Sequence, residues 1–451
     1  MLSLTGPPAR TNQYFFLYTS ILANIYSDNF GNSSKIYQPL SIKFYCRHRT
    51  GGIMKNIVSL SISLILLASA RTTSNAEDHQ KTAETSIAVI GLKGGFDSNP
   101  SGVAGEKGSP VGTVYATWDY LRGTIQDGYG LNLTLVETQY DPRNLAAARG
   151  HSLTLKHGIT LGEATVIQSS LSAADEQTWS RRKSSLAWRE RIDHALGPFR
   201  LFASGEARIT ALNERNVFNL GDFLPWNENF ATLSGTTGVA WKSGQTEIGV
   251  SFSAAQVRFV DGVDYIGFRR DHYRLQPNLF FSTMLGDATL EGSLSPFRAA
   301  FPDKEFETVD SLLYTAKLKL PWRSFALELG SNRSVEDTTL PFTVIDLVTS
   351  HEAKVTAKID ERNAVSLIAR RKTDDYVGLD ARSDQKSIGL EYQRALGDGL
   401  LATASGSWRR TKETGLAPVD SFNLLLGFQK QIDLSRGLPA GSNGQPTQKD
   451  G

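Results

Sequence analysis

The stretch Ala353-Lys354-Val355-Thr356-Ala357-Lys358-Ile359 decides how the chain folds. Its apolar side chains alternate with polar ones, and an extended strand places alternate side chains on opposite faces. A helix would not sort the same residues so well. The same alternation recurs from residue 86 to about residue 432, for example in residues 248–253, 273–281 and 312–320. The sequence therefore predicts an all-β protein built from two-faced strands.

The connections between these segments alternate in length. Tight turns with Gly, Pro, Asn or Asp are predicted at residues 196–198, 242–245, 286–287, 360–363 and 397–399. Long polar links are predicted at residues 213–228, 261–269, 335–350, 374–384 and 412–420. Short turns on one side and long loops on the other are typical of outer-membrane barrels. We expect a transmembrane antiparallel up-and-down β-barrel of about 18 strands, with 16 as the alternative.

A soluble all-β protein of 451 residues would be expected to divide into several domains with recognisable linkers. No such linker is found between residues 86 and 432. The mean hydropathy of −0.26 fits a barrel whose strands are apolar on one face only. Aromatic residues also lie near the predicted strand ends, where interfacial belts place them, at Trp118, Tyr120, Trp241, Phe280, Phe281, Trp322, Tyr392, Trp408 and Phe428.

The front of the chain carries a targeting pattern. Residues 54–76 combine Lys55, a short apolar run and two small-residue sites, which is typical of a signal peptide that begins at Met54. Cleavage after Ala70 or Ala76 fits, and Ala76 is favoured. We expect residues 1–53 to be a spurious N-terminal extension and residues 77–85 a short periplasmic leader. The barrel is expected at residues 86–432, and a disordered polar tail at residues 433–451.

Composition bears on several function classes. The 48 basic and 46 acidic residues are spread along the chain, so no basic arm indicates nucleic-acid binding. A single cysteine, Cys46, leaves no intramolecular disulfide framework. The seven histidines include no close pair at metal-ligand spacing, so neither a metal nor a cofactor is predicted. His151-Ser152 and His157-Gly158 come nearest to a hydrolase pair, but a lone histidine is more often an ordinary strand residue, and no enzyme is predicted.

The polar faces of the predicted strands carry many cations. Eight of them are candidates for lining the lumen: Arg208, His272, Arg274, Lys317, Lys319, Lys354, Lys358 and Arg409. They are interleaved with the carboxylates of Glu206, Glu247, Glu291, Glu328 and Glu391. Charged rings of this kind bias a wet pore, here toward anionic solutes. The alternative is that opposite charges simply fill and rigidify the barrel.

The first predicted strand ends in Phe96-Asp97-Ser98-Asn99-Pro100. This aromatic-Asp-x-Asn-Pro turn, carried by Phe96, Asp97, Asn99 and Pro100, resembles the opening of the beta-barrel porin type 2 family. The resemblance would cover residues 86–432. It implies a porin-like or exopolysaccharide-associated role in the outer membrane, without catalytic residues. From the residues alone, the motif is a good turn former.

The sequence thus predicts a barrel in outer-membrane lipid, inserted by the barrel-assembly machinery, that passes small hydrophilic solutes or a polysaccharide. Its oligomeric state is open. A plugged barrel that serves as a surface receptor or adhesin is the alternative, with the link at residues 213–228 as the candidate binding loop. A structural anchor of a secretion assembly is the third possibility.

Overall fold

The computed structural model describes residues 84–100, 102, 105, 107–140, 148–178, 181–214, 226–264, 266–340 and 342–435. Within these residues, 18 strands pair antiparallel in one sheet that closes on itself. The predicted class, an antiparallel up-and-down barrel, is confirmed, and so is the count of 18 rather than 16. No helix among the described residues is long and apolar enough to cross a membrane.

The strands follow one another in chain order around the barrel, and each pairs with its neighbours in sequence. Their bounds are β1 Glu84–Asp97, β2 Ser109–Gly123, β3 Gly128–Tyr140, β4 Ala148–Leu161, β5 Thr165–Gln177, β6 Arg181–Leu196, β7 Phe199–Glu214, β8 Trp226–Ser243, β9 Thr246–Phe259, β10 His272–Leu285, β11 Ala288–Ala300, β12 Val309–Trp322, β13 Phe325–Asp337, β14 Ile345–Lys358, β15 Asn363–Tyr376, β16 Ala381–Gly397, β17 Leu400–Glu413 and β18 Val419–Asp433. They are 13 to 18 residues long. A membrane crossing takes about 9–11 tilted residues, so the strands project beyond the apolar layer.

Short turns follow the even-numbered strands, as predicted. Two residues link β6 to β7 and β8 to β9. In these turns Gly197 (φ 58°) and Gly244 (φ 56°) adopt the left-handed conformation that two-residue hairpins require. In the turn after β14, hydrogen bonds from Asn363 and from the Arg362 backbone lower the pKa of Asp360. The side with short turns is the periplasmic side.

Several predicted loops are shorter than expected, and the predicted bounds there were wrong. The link at 335–350 reduces to residues 338–344, because β13 continues to Asp337 and β14 begins at Ile345. The links at 374–384 and 412–420 likewise reduce to residues 377–380 and 414–418. Strand ends that project from the membrane meet a polar environment on both faces. Their sequence therefore loses the alternation that identifies a strand.

The ends of the barrel also differ slightly from the prediction. Strand β1 begins at Glu84, inside the expected leader, and β18 ends at Asp433. Ser435, assigned to the tail, accepts a hydrogen bond from the Ser86 backbone N–H through its side chain (2.9 Å). The expected extension at 1–53, the signal peptide at 54–76 and the tail beyond residue 435 lie outside the described residues.

The barrel closes where β1 meets β18. Residues 87–97 of β1 pair with residues 433–423 of β18. The Tyr115 hydroxyl on β2 donates across β1 to the Gln429 side chain (2.6 Å). A Cβ at Gly91 would lie 2.2 Å from the Tyr115 ring, so only glycine leaves room for this link.

The two faces of the barrel differ in character. On β18 the outward side chains are Phe422, Leu424, Leu426 and Phe428, all about half exposed. Large apolar side chains are exposed on the outer face of every strand, and Trp118, Trp241, Trp322 and Trp408 lie toward strand ends. Nothing but lipid stabilises such a surface. The protein is an integral β-barrel of the bacterial outer membrane.

Candidate functional site

The strand register places all eight predicted cations on the face opposite the exposed apolar side chains. Arg208 alternates with the exposed Ile209, and Lys319 alternates with the exposed Leu320. The same alternation puts the remaining six on the lumenal face: His272, Arg274, Lys317, Lys354, Lys358 and Arg409. Their part in solute passage stays a prediction, and their surroundings divide them into two groups.

The hairpin formed by β13 and β14 folds into the extracellular mouth. We call residues 338–344, which join these strands, the hairpin tip. Val344 of the tip and Ile345 and Leu347 just beyond it are nearly inaccessible. They pack on a buried apolar cluster of Leu212, Phe230, Val257, Phe259, Phe297, Ala299, Val309 and Leu313. All eight wall residues lie on the lumenal faces of β7 to β12, so the tip fills the lumen along that half.

Arg270, in the loop before β10, attaches the hairpin tip to the barrel wall. Its guanidinium donates to the backbone oxygens of Thr338 and Thr343 (2.5 Å each) and of Leu340 (3.3 Å). The side chain is 1% exposed, and Asp264 lies 3.6 Å away. Burial lowers the pKa of Arg270, and the carboxylates of Glu228 and Asp264 oppose that shift. We call Arg270 and its contacts with the hairpin tip the latch. A planar group with five donors suits a ring of carbonyl oxygens, so the latch is specific to arginine.

A second set of contacts attaches the tip to β6 and β7. The Glu214 carboxylate accepts hydrogen bonds from the Thr338 hydroxyl (2.7 Å) and the Thr339 backbone N–H (2.6 Å). Arg181 donates to Glu336 (2.6 Å) and lies 3.4 Å from Glu214. Strands β6 and β7 are seven and six strands away from β13 around a barrel of 18. The hairpin therefore reaches most of the way across the mouth.

Two of the predicted lumenal cations belong to this latch rather than to open water. His272 is 1% exposed and its Nδ1 lies 2.9 Å from the Arg270 carbonyl oxygen. Arg274 donates to His272 Nε2 (2.9 Å) and pairs with Asp337 at the end of β13. The alternation of polar and apolar residues identified their face, but it could not show that a hairpin from across the barrel covers them.

The other half of the mouth is charged and open. A cavity of about 590 Å³ lies against strands β14 to β18. Its wall carries one row of lumenal side chains across five strands, paired in register as Glu352, Arg370, Ser387, Arg409 and Ser421. Arg370 donates to Glu352 (2.7 Å), and Arg409 donates to Ser421 (3.1 Å). We call this the lumenal charged row.

Of the two arginines in this row, sequence reasoning identified Arg409 and missed Arg370, and each is one member of an arginine doublet. In Arg370-Arg371 and Arg409-Arg410, the first residue faces the lumen and the second faces outward, since Leu367 and Trp408 fix the outer face. Only Arg409 was a predicted lumenal residue. Lys372, two residues beyond Arg370, is lumenal too and lies 2.7 Å from Asp374. Strand alternation, applied to each residue of a doublet in turn, would have assigned one arginine to the lumenal face and the other to the outer face.

The turn motif at the end of β1 adopts the expected turn. Asp97 Oδ1 accepts a hydrogen bond from the Asn99 backbone N–H (3.0 Å). Asn99 Oδ1 accepts one from the Gly102 N–H (2.9 Å), and Pro100 lies between. Phe96 points outward and is 47% exposed. The motif therefore ends a strand and starts an extracellular loop, as its turn-forming residues indicate.

The residues considered for catalysis or metal binding lie apart. His151 is on the outer face of β4, 2.8 Å from Glu137, whereas Ser152 faces the lumen. His157 is also outward and stacks on Tyr129 at 4.7 Å between ring centroids. Across the described part of the chain, no three His, Cys, Asp or Glu side chains are grouped so that they could hold a metal ion.

Known proteins resemble this chain in structure at low sequence identity. No protein-family model matches the chain, and no curated protein does. Among solved structures, OccK2 of Pseudomonas aeruginosa is similar at 11% identity and a TM-score of 0.44, over 78% of this chain and 98% of that one. The copper transporter OprC is similar at 10% identity and a TM-score of 0.44, over 79% and 81%. The FrpB iron transporter from Neisseria meningitidis is similar at 11% identity and a TM-score of 0.41, over 78% and 81%. The resemblance to the beta-barrel porin type 2 family is not confirmed.

Proposed function

We propose that this barrel is a passive outer-membrane channel that admits small hydrophilic anions past the hairpin tip, through the charged half of the mouth. The observation that carries the proposal is the lumenal charged row beside a cavity of about 590 Å³. Within the row, Arg370 is 59% and Glu352 is 43% exposed, so a solute can meet their charged groups. Guanidinium groups along a wet wall attract anions, and they lose water more easily than an ammonium group does.

Cations continue the charged row toward the periplasm. Lys354 on β14 is followed by Lys358 near the turn, and Lys317 and Lys319 lie on the lumenal face of β12. An anion that passes the mouth would therefore meet further positive charge along the wall. The carboxylates of Glu352 and Glu391 interrupt this surface, which favours a weak, multi-site path over a single tight site.

The experiment is single-channel recording of the protein expressed from Met54, in a planar bilayer with a salt gradient. We expect stable conductance steps and a reversal potential whose sign indicates anion selectivity. The triple variant R370Q/K372Q/R409Q should move that potential toward zero while the steps persist. A cation-selective wild-type channel, or an unchanged potential in the variant, would reject the proposal.

A surface receptor is the second candidate, and the latched hairpin favours it. A tip held by Arg270, Glu214 and Arg181 could close the mouth completely and leave the extracellular loops as the working surface. Silence from a folded wild-type barrel, with steps only after the tip is removed, would support this candidate. Export of a polysaccharide would require the hairpin to leave the lumen.

A further inference from the structure

The outward members of the arginine doublets form a surface that solute passage does not use. Cα pairing aligns Arg371 on β15 with Lys386 on β16 and Arg410 on β17. Paired strands lie about 4.8 Å apart, so three cations stand side by side on the outside of the barrel. We call these three residues the outer basic row. The side chains of Arg371 and Lys386 are 47% and 55% exposed.

The outer basic row lies at the upper edge of the apolar surface. Two residues further toward the periplasm, the same three strands carry Ala369, Ile388 and Trp408, again paired in register. Ile388 is 46% and Trp408 is 39% exposed. Two residues along a strand span about 7 Å, which takes the surface from acyl chains to headgroups. The cations therefore stand at the height of the outer-leaflet headgroups.

Local carboxylates do not neutralise these cations fully. Asp384 is shared, lying 3.0 Å from Arg371 and 3.9 Å from Lys386. Lys412 is paired in register with Asp384, and Arg410 with Asp420. Yet neither Arg410 nor Lys412 comes within ion-pair distance of a carboxylate among the residues that the structure describes. The outer ends of β15 to β17 and the start of β18 hold five cations and three carboxylates, namely Arg371, Arg382, Lys386, Arg410 and Lys412 with Asp375, Asp384 and Asp420.

Another outer surface of the barrel is different. On β4 to β6, Arg149 and Arg182 both pair with Asp175, at 3.0 and 3.4 Å. His151 lies 2.8 Å from Glu137 on β3. On this surface the two arginines are balanced by two carboxylates, Asp175 and Glu137, so it has no excess of arginine and lysine over carboxylate. Excess positive charge is thus a property of the β15–β17 face and not of the whole rim.

We propose that the β15–β17 face binds the phosphate groups of a phosphorylated, acylated glycolipid of the outer leaflet. The outer basic row and Lys412 would contact the phosphates, and Ile388 and Trp408 would contact the acyl chains. Arginine matches phosphate with two parallel N–H donors, and lysine adds a point charge. Polar contact above and apolar contact below select a lipid over a free anion. This inference does not depend on the proposed channel.

The test is binding of bisphosphorylated lipid A to the refolded barrel in a neutral detergent, measured by native mass spectrometry with dephosphorylated lipid A as the paired ligand. The outer triple variant R371Q/K386Q/R410Q is compared with the lumenal triple variant R370Q/K372Q/R409Q. Both remove two arginines and one lysine, but only the first acts on the outer face. A cation at an anionic lipid surface contributes about fivefold, so the outer triple should weaken binding on the order of a hundredfold.

The lumenal triple should bind lipid A as the wild type does, and dephosphorylated lipid A should bind the wild type weakly. Equal affinity for the two lipids, an equal loss in both triples, or no loss in the outer triple would overturn the proposal. Heat-modified migration on gels identifies folded barrels in every sample. Because conductance is not the readout, failure of the channel proposal would leave this result unaffected.

Discussion

The two halves of the extracellular mouth have the same strand geometry but opposite chemistry. Along β7 to β12, an apolar cluster on the lumenal face near the mouth is buried under the hairpin, with Val257 and Ala299 fully inaccessible. Along β14 to β18, they are charged or polar and border a cavity. A barrel wall that faces water should be polar throughout. The apolar half is explained only by the hairpin that covers it, so the wall itself shows which side the tip occupies.

The difference also explains how charge is used on each side. Under the tip, Arg270 and Glu214 satisfy backbone groups that would otherwise be buried without partners. In the open half, Arg370 and Arg409 retain contact with solvent. The same residue type therefore holds a loop in one half and is available to solutes in the other.

Removing the tip is expected to have the largest effect. Residues 338–344 would be replaced by Asn-Gly, which suits a two-residue hairpin between strands. The apolar half of the mouth would then be open to water, and single-channel conductance should rise severalfold. The same replacement at residues 414–418, an extracellular link whose backbone bonds to Arg382 and Glu413 rather than to the tip, is the control and should leave conductance unchanged. Unaltered conductance without the tip would show that the tip does not restrict the lumen.

Substituting the latch arginine should cost stability. Arg270→Met removes three hydrogen bonds to tip carbonyls and leaves Asp264 buried beside an apolar side chain. Loss of one partner of a buried ion pair typically costs about 3–5 kcal/mol. Urea unfolding in lipid vesicles measures the change in the free energy of unfolding. Arg269→Met, at a neighbouring side chain that is 60% exposed, should change it by less than about 1 kcal/mol. Equal costs at the two positions would argue against the latch.

Variants at the lumenal and at the outer arginines of the doublets distinguish ion selectivity set by the lumen from an effect of surface charge. R370Q/R409Q should shift the reversal potential toward zero, whereas R371Q/R410Q should leave it in place, because only the first pair faces the lumen. The two double variants change adjacent residues on the same strands. Reversal potentials in a salt gradient provide the measurement, and equal shifts would mean that the charges act at long range rather than from the lumenal wall.

Removal of a single methylene group is expected to have the smallest effect on the free energy of unfolding. Ile345, 1% exposed, packs in the apolar cluster under the tip, whereas Ile388 is 46% exposed on the lipid face. Ile345→Val should lower the free energy of unfolding by about 1 kcal/mol, since a buried cavity is left behind. Ile388→Val should have little effect, because lipid fills the space. Urea unfolding compares the two variants, and equal values would mean that the mouth is not a packed core.

Alternation in the sequence sufficed to predict the strands, the barrel and the lumenal face of residues such as Lys354 and Arg409. It did not predict the hairpin that folds inward, because residues 335–350 lack a regular period and resemble a loop. Val344, Ile345 and Leu347 are apolar residues in that stretch, and their burial depends on side chains of β7 to β12, up to six or seven strands away around the barrel. Contacts of this kind have no local sequence pattern. Glu190 interrupts the apolar outer face of β6, and its carboxylate accepts a hydrogen bond from the Ser169 hydroxyl (2.7 Å).

The most direct test of the two-sided mouth is the rate at which a small, charged, membrane-impermeant thiol reagent labels single cysteines. The protein expressed from Met54 contains no cysteine of its own. Ser387→Cys lies in the lumenal charged row, and Ser295→Cys lies on the lumenal face of β11, where the serine is 3% exposed. We predict rapid labelling at position 387 with a drop in conductance, and negligible labelling at position 295. Similar rates at both positions would contradict a mouth that is open on one side and occupied on the other.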